Sequence, residues 1–317
     1  MVNLMKLIHN EITKIYILKS TWIMYILLAV IILGIGIMVN SVGDITKGYG
    51  ESTWRAELEE ENENLVKEME EESFLQDINT SIIAQNNYYL ENDIKPAGYG
   101  AWQFVMENEL LVPIVSLLTI IIAAGIVANE FRWGTIKLLL IRPISRSKLL
   151  LSKYIAVLLF ALNTLLFVVI FSWIIGAIFF GMEGLNPSIA IDKGNGLEYV
   201  AVINEVISGY GYKLVNLVMM ATFAFMISSI FRNSALAIGV AVFLMMAGNS
   251  IVMFFAERTW AKYILFANTD LSQYSNSSEP LMEGMTLTFS IIVLLVYFVV
   301  FLVASWGVFT KRDVAGQ

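Results

Sequence analysis

Six stretches free of charged side chains dominate this sequence: Trp22–Val39, Pro113–Ala128, Tyr154–Gly181, Leu214–Phe231, Ala235–Ala256 and Leu287–Phe309. A bilayer core of roughly 30 Å takes about 20 apolar residues of helix and offers no water to unpaired backbone groups. Runs of this length predict an all-α membrane protein with six transmembrane helices. The second run is short unless Leu110 to Val112 extend it, and the third is long enough to tilt or break. Composition agrees, since 57% of the 317 residues are hydrophobic and only 15% are charged, against about 25% in soluble domains. With no Cys and one His, His9, disulfides, thiolate metal sites and His-based metal clusters are excluded. The first run has span length and no small-residue cleavage site behind it, so it is expected to stay in place as a span.

The net charge of −7 is unevenly distributed. If the N-terminus lies inside, the inner pieces carry Lys6, Lys14, Lys19, Arg132, Lys137, Arg142, Arg146, Lys148, Lys153, Arg232, Lys311 and Arg312, against Glu11, Glu130 and Asp313 alone. Lys and Arg in short loops set orientation, so both termini are expected in the cytoplasm.

The whole chain, 1–317, reads as one membrane domain with three notable pieces outside the spans. Ahead of the first span, Leu4, Leu7, Ile8, Ile15 and Leu18 form a stripe, which predicts a helix lying at the inner interface. The outer insertion, 40–112, carries helical spacings at Leu58, Leu65 and Met69 and again at Ile78, Ile82 and Tyr89, which predicts a helical hairpin. Its glutamates between Glu57 and Glu72 fit no calcium-loop pattern and read as a solvated face. The connection 182–213 has no clear pattern. The segment 257–286 opens with Trp260, Tyr263 and Phe266, aromatics suited to a membrane surface, and is expected to hold an interfacial or re-entrant helix.

The inner connection 129–153 is the most informative. It has a helix-like start at Asn129 and Glu130, an apolar run too short to span, and a turn at Pro143, after which Ser145 or Ser147 can cap the next helix. A short amphipathic helix joined to two spans has the geometry of a docking lever.

Here the chain resembles the permease subunits of type-2 ATP-binding-cassette exporters. That family shows an acidic residue, a Gly-Thr pair and a Pro-x-x-Arg turn in this loop, matched by Glu130, Gly134, Thr135, Pro143 and Arg146. The resemblance extends to the span count, the orientation, the first interfacial helix and the segment before the last span. It implies that Glu130, Phe131, Arg132, Gly134, Thr135, Lys137, Pro143 and Arg146 couple the permease to a cytoplasmic ATPase. It further implies two such ATPases, a second permease subunit, the same or homologous, and the plasma membrane of a bacterium. The long acidic insertion departs from the shorter family members. No G-x-x-x-x-G-K-[ST] phosphate loop occurs, so ATP and Mg are expected on the partner and no cofactor in this chain. No nucleic-acid partner is expected.

The spans lack the ionisable groups that ion-coupled carriers place near the midplane, and lack the paired groups of an intramembrane protease. Asn163, Asn216, Thr222 and Asn249 are candidates for a substrate path, although bonds between helices are the commoner use of such residues. Charge-free spans with methionines at 219, 220, 226, 245, 246 and 253 suit a hydrophobic or amphipathic cargo such as an antimicrobial peptide, a drug or a lipid-like molecule. Sodium extrusion is the runner-up, followed by a receptor or immunity protein that transports nothing.

Overall fold

A computed structural model describes residues 4–41, 48–136, 144–182, 184, 186–193, 196–275 and 280–311. Helix α1 (Leu4–Ile17) breaks at Leu18 and the chain enters α2 (Lys19–Ser41). Helices α3 (Trp54–Glu71) and α4 (Gln76–Glu91) follow as a hairpin. Helix α5 (Ala101–Glu107) runs through a 3-10 turn (Asn108–Leu111) into α6 (Val112–Arg132), and α7 spans Arg146–Phe179. A two-stranded antiparallel ribbon, β1 (Ser188–Asp192) and β2 (Leu197–Ala201), pairs Ala190 with Tyr199 at its centre. It leads into α8 (Val202–Phe231), followed by α9 (Ser234–Phe254), the short α10 (Leu265–Asn268) and α11 (Leu287–Lys311). Six helical stretches, α2, α5 with α6, α7, α8, α9 and α11, are long and apolar enough to cross a membrane, which makes this a multi-pass, predominantly helical membrane protein.

Helices α6 and α7 run antiparallel. The last turn of α6 meets the start of α7 through Glu130 and Lys153, and the amide of Ala101, at the far end, donates to the carbonyl of Gly181. Helices α6 and α8 form the buried centre, while α2, α9 and α11 keep most of their length at the surface. The end carrying α1 is called the basic end here, and the end carrying the α3–α4 hairpin the acidic end.

Several boundaries differ from those the sequence suggests. The second crossing reaches back to Ala101, because α5 packs in the bundle against α7 with Phe104 and Val105 fully buried. Ala101–Leu111, assigned above to the insertion, thus sits with the spans. The third crossing starts at Arg146, with Ser145 as its cap accepting from the Lys148 amide at 3.3 Å. The end of the inner loop is therefore the first turn of a 34-residue helix. The fourth starts at Val202, and the patternless connection before it holds the ribbon. The ribbon is pinned to the insertion: Tyr89 Oη accepts from the Ala190 amide at 2.8 Å, and Gln85 Nε2 donates to its carbonyl at 2.6 Å. The described residues of the segment before the last crossing hold short turns and α10, anchored where Asn268 Oδ1 accepts from Ser290 Oγ at 2.7 Å.

The contact of α5 with α7 depends on Gly176, where a Cβ would stand 2.9 Å from Ala101 Cα and 3.2 Å from its carbonyl oxygen. Those neighbours are backbone and cannot swing aside. Gly176→Ala should separate the helices and cost about 1–3 kcal/mol, read as a lower Tm of the purified protein.

Candidate functional site

Helix α6 stops at the basic end because Gly134 takes a left-handed conformation, φ +69°, which other residues adopt only with strain. The Gly134 amide donates to the Phe131 carbonyl at 3.1 Å, and the chain becomes helical again at Thr135. Ile136 is buried in a core cluster with Ile15, Leu149 and Leu150. The turn brings the Thr135 hydroxyl onto the Glu130 carboxylate.

Glu130 is one corner of a quartet of charges in which Glu11 and Lys153 are buried and Lys14 reaches in from the surface. Lys153, 1% exposed, bonds Glu11 Oε2 at 2.7 Å and Glu130 Oε1 at 3.1 Å. Lys14 bonds Glu11 Oε1 and Glu130 Oε1, both at 2.9 Å. Glu11 is 3% exposed. Two carboxylates and two ammonium groups thus alternate, tying α1, α6 and α7 together. Burial works against the charge of Lys14, but the carboxylates of Glu11 and Glu130 outweigh it and hold the ammonium above the usual lysine range. Its contribution is therefore complete at neutral pH and is lost only in strong alkali.

Glu11 lies between Leu7 and Ile15 on one face of α1, and all three are buried. The stripe that the sequence presents as apolar thus carries a carboxylate at its centre and packs against α7 rather than remaining open. Neighbouring polar contacts continue the attachment. Tyr16 and Tyr25 share a hydrogen bond of 3.0 Å, and Tyr25 meets Thr164 of α7 at 3.1 Å.

Of the other residues implicated by sequence, Phe131 packs edge-on against Phe309 of α11 and lies under the guanidinium of Arg232, 4.2 Å from its ring centroid. Arg232 holds its own left-handed turn, φ 55°, between α8 and α9. Arg132 and Trp133 are exposed at the tip. Arg146 Nη1 donates to the Thr310 carbonyl at 3.1 Å, satisfying an end group of α11, and Trp306 Nε1 donates to Ser147 at 3.0 Å. Lys137 and Pro143 lie outside the described residues.

The four polar residues proposed for a path are not brought together. Thr222 is buried between Tyr154 Oη at 2.8 Å and the Val218 carbonyl at 2.6 Å. Asn163 is exposed on α7, 3.4 Å from Tyr16 Oη, while Asn216 is half-buried on α8 and Asn249 is exposed on α9. Among the described residues, no three His, Asp or Glu side chains converge as metal ligands would.

Sequence reasoning passed over Glu11, Lys14 and Lys153. One signal was available: Glu11 and Glu130 are two of only three acids in otherwise basic pieces, and an acid retained there has a local partner to serve.

The chain matches the family described as "Protein of unknown function (DUF2705)" over residues 74–315. It is 43% identical over 317 residues to the "Uncharacterized protein YhcI" of Bacillus subtilis (strain 168), covering 98% of this chain and all of that protein. It is 36% identical over 203 residues to the "Uncharacterized membrane protein YdbK" of the same organism, covering 63% of this chain and 78% of that one.

Proposed function

We propose that this chain, which belongs to the DUF2705 family, is the permease subunit of an ATP-binding-cassette exporter of the type-2 class. The basic end faces the cytoplasm, in keeping with its lysines and arginines. The segment that leaves α6 at Gly134 docks on a cytoplasmic ATPase. Two ATPases, carrying ATP and Mg, act on two permease subunits in the plasma membrane of a bacterium, and a hydrophobic or amphipathic cargo moves outward between the permeases.

The observation that carries this reading is the quartet of charges around the buried Glu11 and Lys153. A docking segment is useful only if a push on it moves whole helices. Here Glu130, in the last turn of α6 and bonded by the Thr135 hydroxyl of the segment, is bonded through Lys14 and Lys153 to α1 and to the first turns of α7. The stack of Arg232, Phe131 and Phe309 adds the ends of α8 and α11. Side-chain contacts from five helical elements thus converge within a few residues of the segment, while Arg132 and Trp133 stay exposed for a partner.

The direct test is affinity purification through a tag on this chain from its own host, with identification of any cytoplasmic ATPase that co-purifies and co-expression of the two. Both subunits are expected in one complex whose ATPase activity depends on the permease. A chain that purifies alone, from a strain whose sensitivity to amphipathic compounds is unchanged by deletion, rules the reading out.

A further inference from the structure

At the opposite, acidic end the connections enclose a cavity of about 430 Å³, bounded by α4, β1, the first turns of α8 and the turn at Leu271–Tyr274. Its volume falls within the range of small-molecule sites. One part of the wall is apolar, formed by Met106, Ile189 and Ile191, and another presents the carboxylates of Glu109 and Glu205, with the exposed Asp192 at its edge. Each glutamate is bonded through Oε1 to a lysine, Glu109 to Lys213 at 3.2 Å and Glu205 to Lys193 at 2.7 Å, and neither lysine is among the residues lining the cavity.

Glu109 is held by a fitted feature of α8. Its Oε2 rests on Gly209, where a Cβ would stand 1.8 Å from that oxygen and 2.6 Å from Cδ. A glycine in mid-helix costs about 1 kcal/mol relative to alanine, and here it gives the carboxylate room to lie in the cavity wall. Glu109 and Glu205 are only 19% and 17% exposed. That distinguishes them from solvent-facing glutamates of α3 such as Glu63, which can exert only a diffuse attraction.

We propose that this cavity binds the protonated amine of an apolar molecule, with the ammonium against Glu109 and Glu205 and the hydrocarbon against Met106, Ile189 and Ile191. A carboxylate accepts several hydrogen bonds, so each can serve its lysine and a ligand together. The apolar wall explains why a bare inorganic cation would be a poor occupant. This assignment does not rest on ATP-driven transport, since a receptor and an exporter could both use such a site.

The test uses the full chain in lipid nanodiscs of zwitterionic lipid and, as probe, an N-terminally acetylated leucine-lysine-leucine peptide amide, whose lysine is its one ammonium, with calorimetry as the readout. Glu109→Gln should weaken binding about tenfold or more, the usual size of a lost charge-assisted bond. Gly209→Ala should weaken it comparably although no charge changes, because the methyl displaces the carboxylate at the end of a flexible side chain and leaves the helix intact. Glu63→Gln should stay within about twofold, and a probe with acetylated lysine should bind as weakly as the unmodified probe does to Glu109→Gln. The assignment is overturned if the unaltered protein does not bind the probe, if Glu109→Gln and Gly209→Ala leave Kd unchanged, or if Glu63→Gln costs as much as Glu109→Gln.

Discussion

Lys153→Met should lower the stability of the purified protein by about 3–5 kcal/mol, the largest single loss expected outside the apolar core. The substitution keeps the length of the side chain and removes its charge. Glu11, 3% exposed, and Glu130 are then left with Lys14 alone, which is 42% exposed and able to reach both only from the surface side. Carboxylates without a counter-charge in a buried setting are costly, and α1 should leave α7 before the bundle melts. Adding Glu11→Gln to Lys153→Met should recover more than half of the loss, because the unpaired charge goes with it. Thermal unfolding in detergent, with protease accessibility of α1, measures both effects. Additive losses in the double variant would show that the four charges do not act as a unit.

Glu130→Gln is the functional counterpart. Lys153 keeps its bond of 2.7 Å to Glu11, and Lys14 keeps its own to Glu11, so the fold should survive with a loss of about 1–3 kcal/mol. What goes is the charged link between the segment after α6 and the other two helices. If the chain is the proposed permease, transport coupled to ATP hydrolysis should fall by about tenfold or more, equivalent to some 1.4 kcal/mol of lost coupling, with the ATPase still bound through the exposed tip. Reconstituted complexes give the ratio of substrate moved to ATP hydrolysed. A variant carrying both Glu130→Gln and Arg146→Gln that still binds the ATPase and transports normally would remove the coupling role from this end of the molecule.

The parts legible in the sequence are those dictated by the solvent. Lipid tolerates neither charge nor unpaired backbone, so each of the six crossings had to appear as a charge-free run. Their ends were less legible. Arg146–Lys153 is polar enough to resemble a loop, yet it is the opening of α7, because Lys153 finds its counter-charges inside the protein. Ala101–Leu111 lies beyond the apolar run of Pro113–Ala128 and joins the bundle because Gly176 lets its backbone approach. The ribbon at Ser188–Ala201 left no trace, since five-residue strands among polar and glycine residues carry too little periodicity, and it is held by Tyr89 and Gln85 about a hundred positions away.

The candidate site divides in the same way. By itself the sequence determined the number of long apolar helices and the separation of basic from acidic ends, because these follow from transfer energies one segment at a time, whereas the break of α6 at Gly134 came from the structure. Only the tertiary structure decided what Glu130 does. Its partners Lys14 and Lys153 stand 116 and 23 residues away, and Glu11 is 142 residues from Lys153. Pairing across such distances is a property of how α1, α6 and α7 pack, since a buried charge takes whichever opposite charge the packing places within reach.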